Sequence, residues 1–317
     1  MAFTLLQSPM TSESTIAQLS GTKEGAILVG AIDMGSKNFK FVFGQKVNGR
    51  VTTELIRKEQ LEIGKEVTEN HGIIGRSKFR QIEDTLSQFV SYCRDRGATT
   101  VLAIATSAIR NARNHQQVID LAGKIGIAIE VAEGEREGEV GYLAATGGAP
   151  NKLVSDSGSK SIQIAWWNND KVQSRSIPVG YELAYESFVE HASTLDETQE
   201  NFSRFLDGNF KELPENTDRI IALAANTITS FVIGEKRPGG NNRTLTRNAL
   251  NDRMLELQGF SPTQYDNLKS SLPKAEKILP GLVFLDYLME RTGHCEVHIT
   301  EAELPVGLIV EYFLKRE

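Results

Sequence analysis

Two stretches of this chain repeat one pattern, and the repetition limits the folds open to it. Residues 27–43 read ILVGAIDMGSKNFKFVF: an apolar run to Ile32, then Asp33-Met34-Gly35-Ser36-Lys37-Asn38, then a run in which Phe39, Phe41 and Phe43 alternate with Lys40 and Val42. Residues 152–167, KLVSDSGSKSIQIAWW, again give an apolar approach, an Asp (Asp156), a small polar turn (Gly158, Ser159, Lys160, Ser161) and an alternating strand. Each stretch predicts a strand, a tight turn and a returning strand. A turn of this kind exposes backbone N–H groups, from Gly35, Ser36 and Lys37 in the first copy, beside one carboxylate. Such amides cradle a phosphate while the Asp holds a cation or a water. One Asp-x-Gly-Ser hairpin is ordinary turn chemistry. Two, one in each half, predict a duplicated chain in which two Asp side chains and two sets of turn amides face a cleft.

Length and composition agree with a duplicated globular chain. At 317 residues it exceeds the usual size of a single core, so two domains are expected, and 40% hydrophobic with 24% charged residues is ordinary for a folded protein. No apolar run approaches the roughly 20 residues that span a bilayer, so no membrane partner is expected. The Ser- and Thr-rich start lacks the basic and apolar parts of a secretory signal, which predicts a mobile extension over residues 1–26 and no export. Cys93 and Cys295 are far apart, which argues against a disulfide scaffold and for a reducing cytoplasm. A net charge of −6 disfavours nucleic acid, so an anionic ligand must meet a local basic pocket. The histidines show no metal-ligand spacing, and His294 and His298 fall in a stretch that alternates like a strand.

Between the two hairpins the pattern predicts a strand over 51–61, a polar loop over 66–75, and a helix over 77–96 with Phe79, Ile82, Leu86, Phe89, Val90 and Cys93 on one face. A buried strand over 99–106, a helical region to Gly126, a short strand over 127–131 and an acidic helix start at 133–139 follow. Residues 146–151, TGGAPN, read as a domain joint. In the second half a third meander strand covers 172–177 and a helix runs through Phe188. An exposed helix covers 194–210, a buried strand 220–224, and a flexible loop 237–242. Helices are expected over 245–258, 263–272 and 279–291, then a strand over 297–299. A closing helix is striped by Leu304, Leu308, Ile309, Tyr312 and Phe313.

Six segments, AIDMGSKNFKFVF, ATSAIRNARN, VAEGEREGEVGYLAA, LVSDSGSKSIQI, IPVGYELAYESF and ILPGLVFLDYLMERTG, follow one another in the order of the exopolyphosphatase and guanosine pentaphosphate phosphatase (Ppx/GppA) family. The chain resembles that family, in its short two-domain form, from about Leu28 to the C-terminus. The resemblance implies an α/β fold of two actin-like domains, from the superfamily of actin, Hsp70 and sugar kinases, flanking a cleft. The first domain would cover 27–145, with the closing helix of 303–317 packing back near it, and the second 146–302. It further implies that Asp33, Gly35 and Ser36 belong to a first phosphate loop, continued by Lys37 and Asn38. Asp156 and Gly158, with Ser159, Lys160 and Ser161, would belong to a second. Thr227 closes a later loop, Arg110 contacts substrate phosphate, and Glu137 stands where the family's glutamate orients the attacking water. Taken as residues alone, Arg110 can fork onto phosphate oxygens or be a surface arginine, and Glu137 can be a base or a solvated charge favoured by a helix start.

The chain also departs from the family pattern. Asp156-Ser157-Gly158-Ser159-Lys160-Ser161-Ile162-Gln163 stands where the family carries Asp-Ile-Gly-Gly-Gly-Ser-Thr-Glu, Lys37-Asn38 replaces Asn-Ser, and Ala225-Asn226-Thr227 replaces Ser-Gly-Thr. The expected activity is hydrolysis of a terminal phosphoryl group of a polyphosphate, a nucleotide polyphosphate or a phosphorylated small molecule, with Asp33 and Asp156 holding Mg²⁺ or its water shell. A weakened nucleotide or phosphate sensor of the same fold is the alternative, and a homodimer is compatible with either. Lys37 and Lys160, at matching places in the two hairpins, predict reduced dependence on metal and a preference for a compact phosphate group. The competing reading leaves both lysines in solvent.

Overall fold

The computed structural model describes residues 26–47, 49–189, 194–214, 217–223, 225–234, 243–258, 262–272 and 275–316. The N-terminal extension up to residue 25, His191 and the loop at 237–242 lie outside them. The chain divides into two compact units, one ending at Ala149 and completed by the segment from Glu303, the other running from Pro150 to Ala302.

In the first unit, β1 (Ile27–Met34), β2 (Asn38–Val47) and β3 (Arg50–Gln60) form an antiparallel meander. The segment read as a polar loop over 66–75 begins inside a helix, α1 (Ile63–Glu69), in which Ile63 and Val67, one turn apart, are both buried. Two apolar residues in a polar stretch are too few for the periodicity to register. The amphipathic α2 (Arg76–Asp95) buries Ile82, Leu86, Phe89, Val90 and Cys93, and the chain leaves it through Gly97 at φ +81°. Then follow β4 (Thr100–Ala105), the short α3 (Ser107–Arg110), α4 (His115–Ile125), β5 (Ala128–Val131) and α5 (Gly134–Thr146).

The five strands are ordered β3-β2-β1-β4-β5, with β4 and β5 parallel to β1. Leu28, Ile32 and Met34 of β1 join Phe39, Phe41 and Phe43 of β2 in the core under α2. The alternate positions of β1, ending in Asp33, therefore face the other side of the sheet.

The second unit repeats this plan. A meander of β6 (Lys152–Ser157), β7 (Ile162–Asn168) and β8 (Lys171–Ile177) leads to α6 (Tyr181–Ala184), which continues as a π-helical turn to Val189. In α7 (Leu195–Asn209) the expectation of an exposed helix fails on one face: Phe202 and Leu206, with Phe210 just beyond, are almost wholly buried. β9 (Arg219–Leu223) and α8 (Asn226–Ile233) follow. The stretch expected to be one helix from 245 begins as β10 (Arg243–Thr246) and only then becomes α9 (Arg247–Gln258). Pairing of Arg243–Thr246 with a later strand overrides the local pattern.

α10 (Pro262–Ser271), the apolar α11 (Ile278–Thr292) and β11 (Glu296–Ile299) complete this unit. Its sheet runs β10-β11-β9-β6-β7-β8. Without the extra edge strand β10, the order β8-β7-β6-β9-β11 and the strand directions match those of the first sheet. The duplication seen in the two hairpins thus extends over two whole mixed α/β sheets.

The last helix, α12 (Leu304–Leu314), belongs to the first unit, where it packs on α5 and on β1. Leu308, Ile309, Val310 and Phe313 are buried there, each worth about 1.5–3 kcal/mol. No helix among the described residues is long and apolar enough to cross a membrane.

Candidate phosphate site

In each unit the turn after the first strand is closed by the same hydrogen bond. Gly35 N–H donates to the Asn38 carbonyl at 3.2 Å, and Gly158 N–H donates to that of Ser161 at 3.0 Å. These two glycine amides are consumed in shaping their turns. The N–H groups of Ser36, Lys37, Ser159 and Lys160 take no protein acceptor among the described residues, which leaves them open to an anionic ligand. The first turn is fixed from behind, because the Ser36 carbonyl accepts from Gly64 N at 2.8 Å and the Lys37 carbonyl from Leu61 N and Glu62 N at 3.0 and 2.9 Å.

The first unit brings Arg110 and Glu137 together. Ser36 Oγ lies 3.3 Å from Ser107 Oγ, which joins the first turn to α3, and α3 ends on Arg110. Arg110 Nη1 donates to the Ala132 carbonyl and to Glu137 Oε1 at 3.1 Å, and its Nε lies 3.4 Å from Glu133 Oε2. Nη2 has no protein acceptor among the described residues. The Arg110 and Glu137 side chains are 23% and 14% exposed, so this pair is sheltered without being sealed. Glu137 lies in the first turn of α5, where the helix dipole favours a carboxylate.

In the second unit the turn rests on the start of α6. Tyr181 N–H donates to the Gly158 carbonyl at 3.0 Å and Glu182 N–H to that of Ser159 at 3.4 Å. Gly180 permits this approach, since a Cβ there would stand 2.3 Å from the Ser159 carbonyl. Lys160 is 70% exposed and pairs with Glu182 at 3.0 Å, and Lys37 is exposed. Thr227 is half-buried in the first turn of α8.

Two lysines that sequence reasoning did not single out are more sheltered than those of the turns. Lys277, only 6% exposed, places Nζ 4.3 Å from the Tyr181 ring centroid and lines a cavity of about 10 Å³, space for one water, with Ser155 and Ser157. Lys40 lies directly opposite Asp33 across β1 and β2, with Nζ 3.5 Å from Asp33 Oδ2 and in contact with Glu303 Oε2. The matching residue in the second hairpin, opposite Asp156, is Gln163. Its Nε2 donates to Ser161 Oγ at 2.7 Å and Ser176 Oγ at 3.3 Å. The signal was present in the sequence: Lys40 and Gln163 each follow their Asp by the same interval.

The residues fit a divalent ion poorly. Among the described residues no three His, Cys, Asp or Glu side chains gather as a metal cage. At Asp33 an ammonium already faces the carboxylate, and opposite Asp156 the chain offers an amide.

Solved structures share this architecture. The Aquifex aeolicus member of the Ppx/GppA protein family superposes with a TM-score of 0.79 at 21% identity, covering 92% of this chain and 99% of that one. An exopolyphosphatase from Cytophaga hutchinsonii superposes with a TM-score of 0.68 at 19% identity, covering 91% and 98%. The fold shared with these structures is accordingly α/β, built on two mixed sheets of one repeated plan. Among curated proteins, the guanosine-5'-triphosphate,3'-diphosphate pyrophosphatase of Vibrio vulnificus is 29% identical over 143 residues, and that of Aliivibrio fischeri is 26% identical over 183 residues. These matches take in 43% and 56% of this chain but only 28% and 36% of the relatives, so the chain spans about a third of their length. The model of the Ppx/GppA phosphatase family matches residues 42–316, from within β2 almost to the end, and the chain belongs to that family.

Proposed function

We propose that the protein is a phosphohydrolase that uses water to attack the terminal phosphoryl group of a phosphoanhydride, in a polyphosphate or nucleotide polyphosphate, or of a phosphorylated small molecule. The observation that carries this reading is the chain of contacts from Ser36 through Ser107 to Arg110 and Glu137, which sets a guanidinium and a carboxylate beside a turn with open N–H groups. Arg110 Nη2 and the Ser36 and Lys37 amides would hold phosphoryl oxygens, and Arg110 Nη1 keeps Glu137 oriented. Glu137 would position a water in line with the scissile bond and accept its proton. In the second unit, Asp156, the Ser159 and Lys160 amides, Ser161 and Thr227 would form a phosphate loop of the same kind.

Phosphate esters and anhydrides carry enough charge that some counter-cation is required at such a site. Mg²⁺ would supply it for ligands that arrive as magnesium complexes, and the poor cage predicts that its contribution is weak. A cytoplasmic location and a small-molecule or polyphosphate ligand complete the reading.

Phosphate release from polyphosphates, nucleotide polyphosphates and sugar phosphates, measured with Mg²⁺ and with EDTA, tests it. Glu137→Gln is expected to lower turnover by about 10²–10⁴ while leaving affinity within a few-fold, because the amide keeps the shape and cannot take the proton. Binding without multiple turnover in the pure wild type would replace the hydrolase with a sensor.

A further inference from the structure

Lys40 is held from two sides by elements that fold independently of its own rotamer. The antiparallel register of β1 and β2 makes it the cross-strand partner of Asp33, on the sheet face opposite α2. Glu303, the residue before α12, reaches the same ammonium. The place of Glu303 is set in turn by the close packing of α12 on α5. The Asp33 side chain is only 7% exposed and that of Lys40 22%, so this charge pair is shielded from bulk water.

We propose that Lys40 is a built-in counter-cation of the first phosphate turn, filling at Asp33 the charge role of a divalent ion and keeping such an ion from binding there. The proposal rests on the reading of the Asp33–Lys37 turn as a phosphate site. A dication seated on Asp33 would have to evict the ammonium or tolerate it within a few ångströms, and Glu303 holds the ammonium in place. The ammonium is covalently part of the chain and offsets the Asp33 carboxylate at the foot of the turn, so a dication would meet a like charge there while phosphate oxygens meet the open amides. The duplicated hairpin strengthens the point: at the equivalent position opposite Asp156, Gln163 brings no second carboxylate that would draw a cation.

The full chain is titrated with Mg²⁺ at constant ionic strength, reading heat of binding and thermal midpoint, beside Asp33→Asn, Lys40→Met, Lys40→Arg and Lys40→Met/Asp33→Asn. The wild type is expected to show no Mg²⁺ uptake that Asp33→Asn removes. Lys40→Met should acquire one Mg²⁺ site at least about tenfold tighter than any in the wild type. The double variant should lose that site again, and Lys40→Arg should behave as wild type. Saturable Mg²⁺ binding in the wild type, abolished by Asp33→Asn, overturns the proposal, as does a folded Lys40→Met that stays indifferent to Mg²⁺. Should Lys40→Met fail to fold, as judged by circular dichroism, the comparison of wild type with Asp33→Asn decides alone. These titrations read binding and not turnover, so a protein that hydrolyses nothing would retire the hydrolase and leave this test standing.

Discussion

Gly307 of α12 sits against the main-chain carbonyl of Val140 on α5, where an added methyl group would stand 2.0 Å from the oxygen. Neither backbone can yield without moving its helix, so Gly307→Ala should cost about 2–3 kcal/mol. Gly123, in the last turn of α4 with nothing within 4 Å of an added Cβ, provides the contrast. Gly123→Ala should stabilise by about 0.5–1 kcal/mol, because it removes conformational freedom from the unfolded chain alone. Urea unfolding of the two variants beside wild type checks both signs.

Arg110 uses Nη1 on Ala132 and Glu137 and Nε toward Glu133, which leaves one edge of the fork for ligand. Arg110→Met should lower kcat/KM for phosphate release by about 10²–10³, since it removes a charged contact to the ligand and releases Glu137 at once. Arg110→Lys keeps the charge but cannot bridge the same partners, and an intermediate loss is expected. Equal rates for wild type and Arg110→Met in steady-state assays would remove Arg110 from the site.

Glu311 gives α12 a pH-dependent tie to α5. Burial raises its pKa, but hydrogen bonds from Arg136 at 2.6 Å and Lys315 at 2.9 Å outweigh this, and the net position lies below the ordinary glutamate value of 4.5. A carboxylate lowered on folding contributes stability that is complete above its unfolded pKa and is lost as pH falls through the lower, folded one. Glu311→Gln should therefore weaken the fold at neutral pH by about 1–3 kcal/mol. The gap to wild type should close as the solution is acidified below the glutamate range, which paired unfolding curves at several pH values would reveal.

The two cysteines should react very differently. Burial, partly opposed by the charge of Arg96, pushes the Cys93 thiol up to about 12, and its side chain has no access to solvent, whereas Cys295 is exposed. An aromatic disulfide reagent should titrate one thiol in the native protein and two after denaturation. Rapid labelling of two native thiols would contradict the packing of α2 on β1.

What could be read from the residues divides along physical lines. Strong apolar periodicity placed α2, α11, α12 and both hairpins, because burial there is written in the spacing of large side chains. α1 and β10 escaped, the first because two buried residues carry it and the second because its partner strand lies fifty residues away. At the site, the turns and the pairing of α3 with α5 could be approached through family resemblance. Lys40 and Lys277 could not, since a lysine on an alternating strand or before an apolar helix looks like a solvated charge until its neighbours are known. Lys37 and Lys160 stand at matching places in the two turns, yet both are exposed and Lys160 pairs with Glu182.

The first unit is discontinuous in sequence, and this gives the two units an order of completion during synthesis. Everything needed for the second unit, from Pro150 to Ala302, is synthesised before α12, while β1 and β2 wait with one face uncovered for that helix. The earlier half of the message thus encodes the unit that finishes later, reversing the usual vectorial sequence. A released chain truncated before Glu303 should accordingly display a protease-resistant second unit beside a digestible first one.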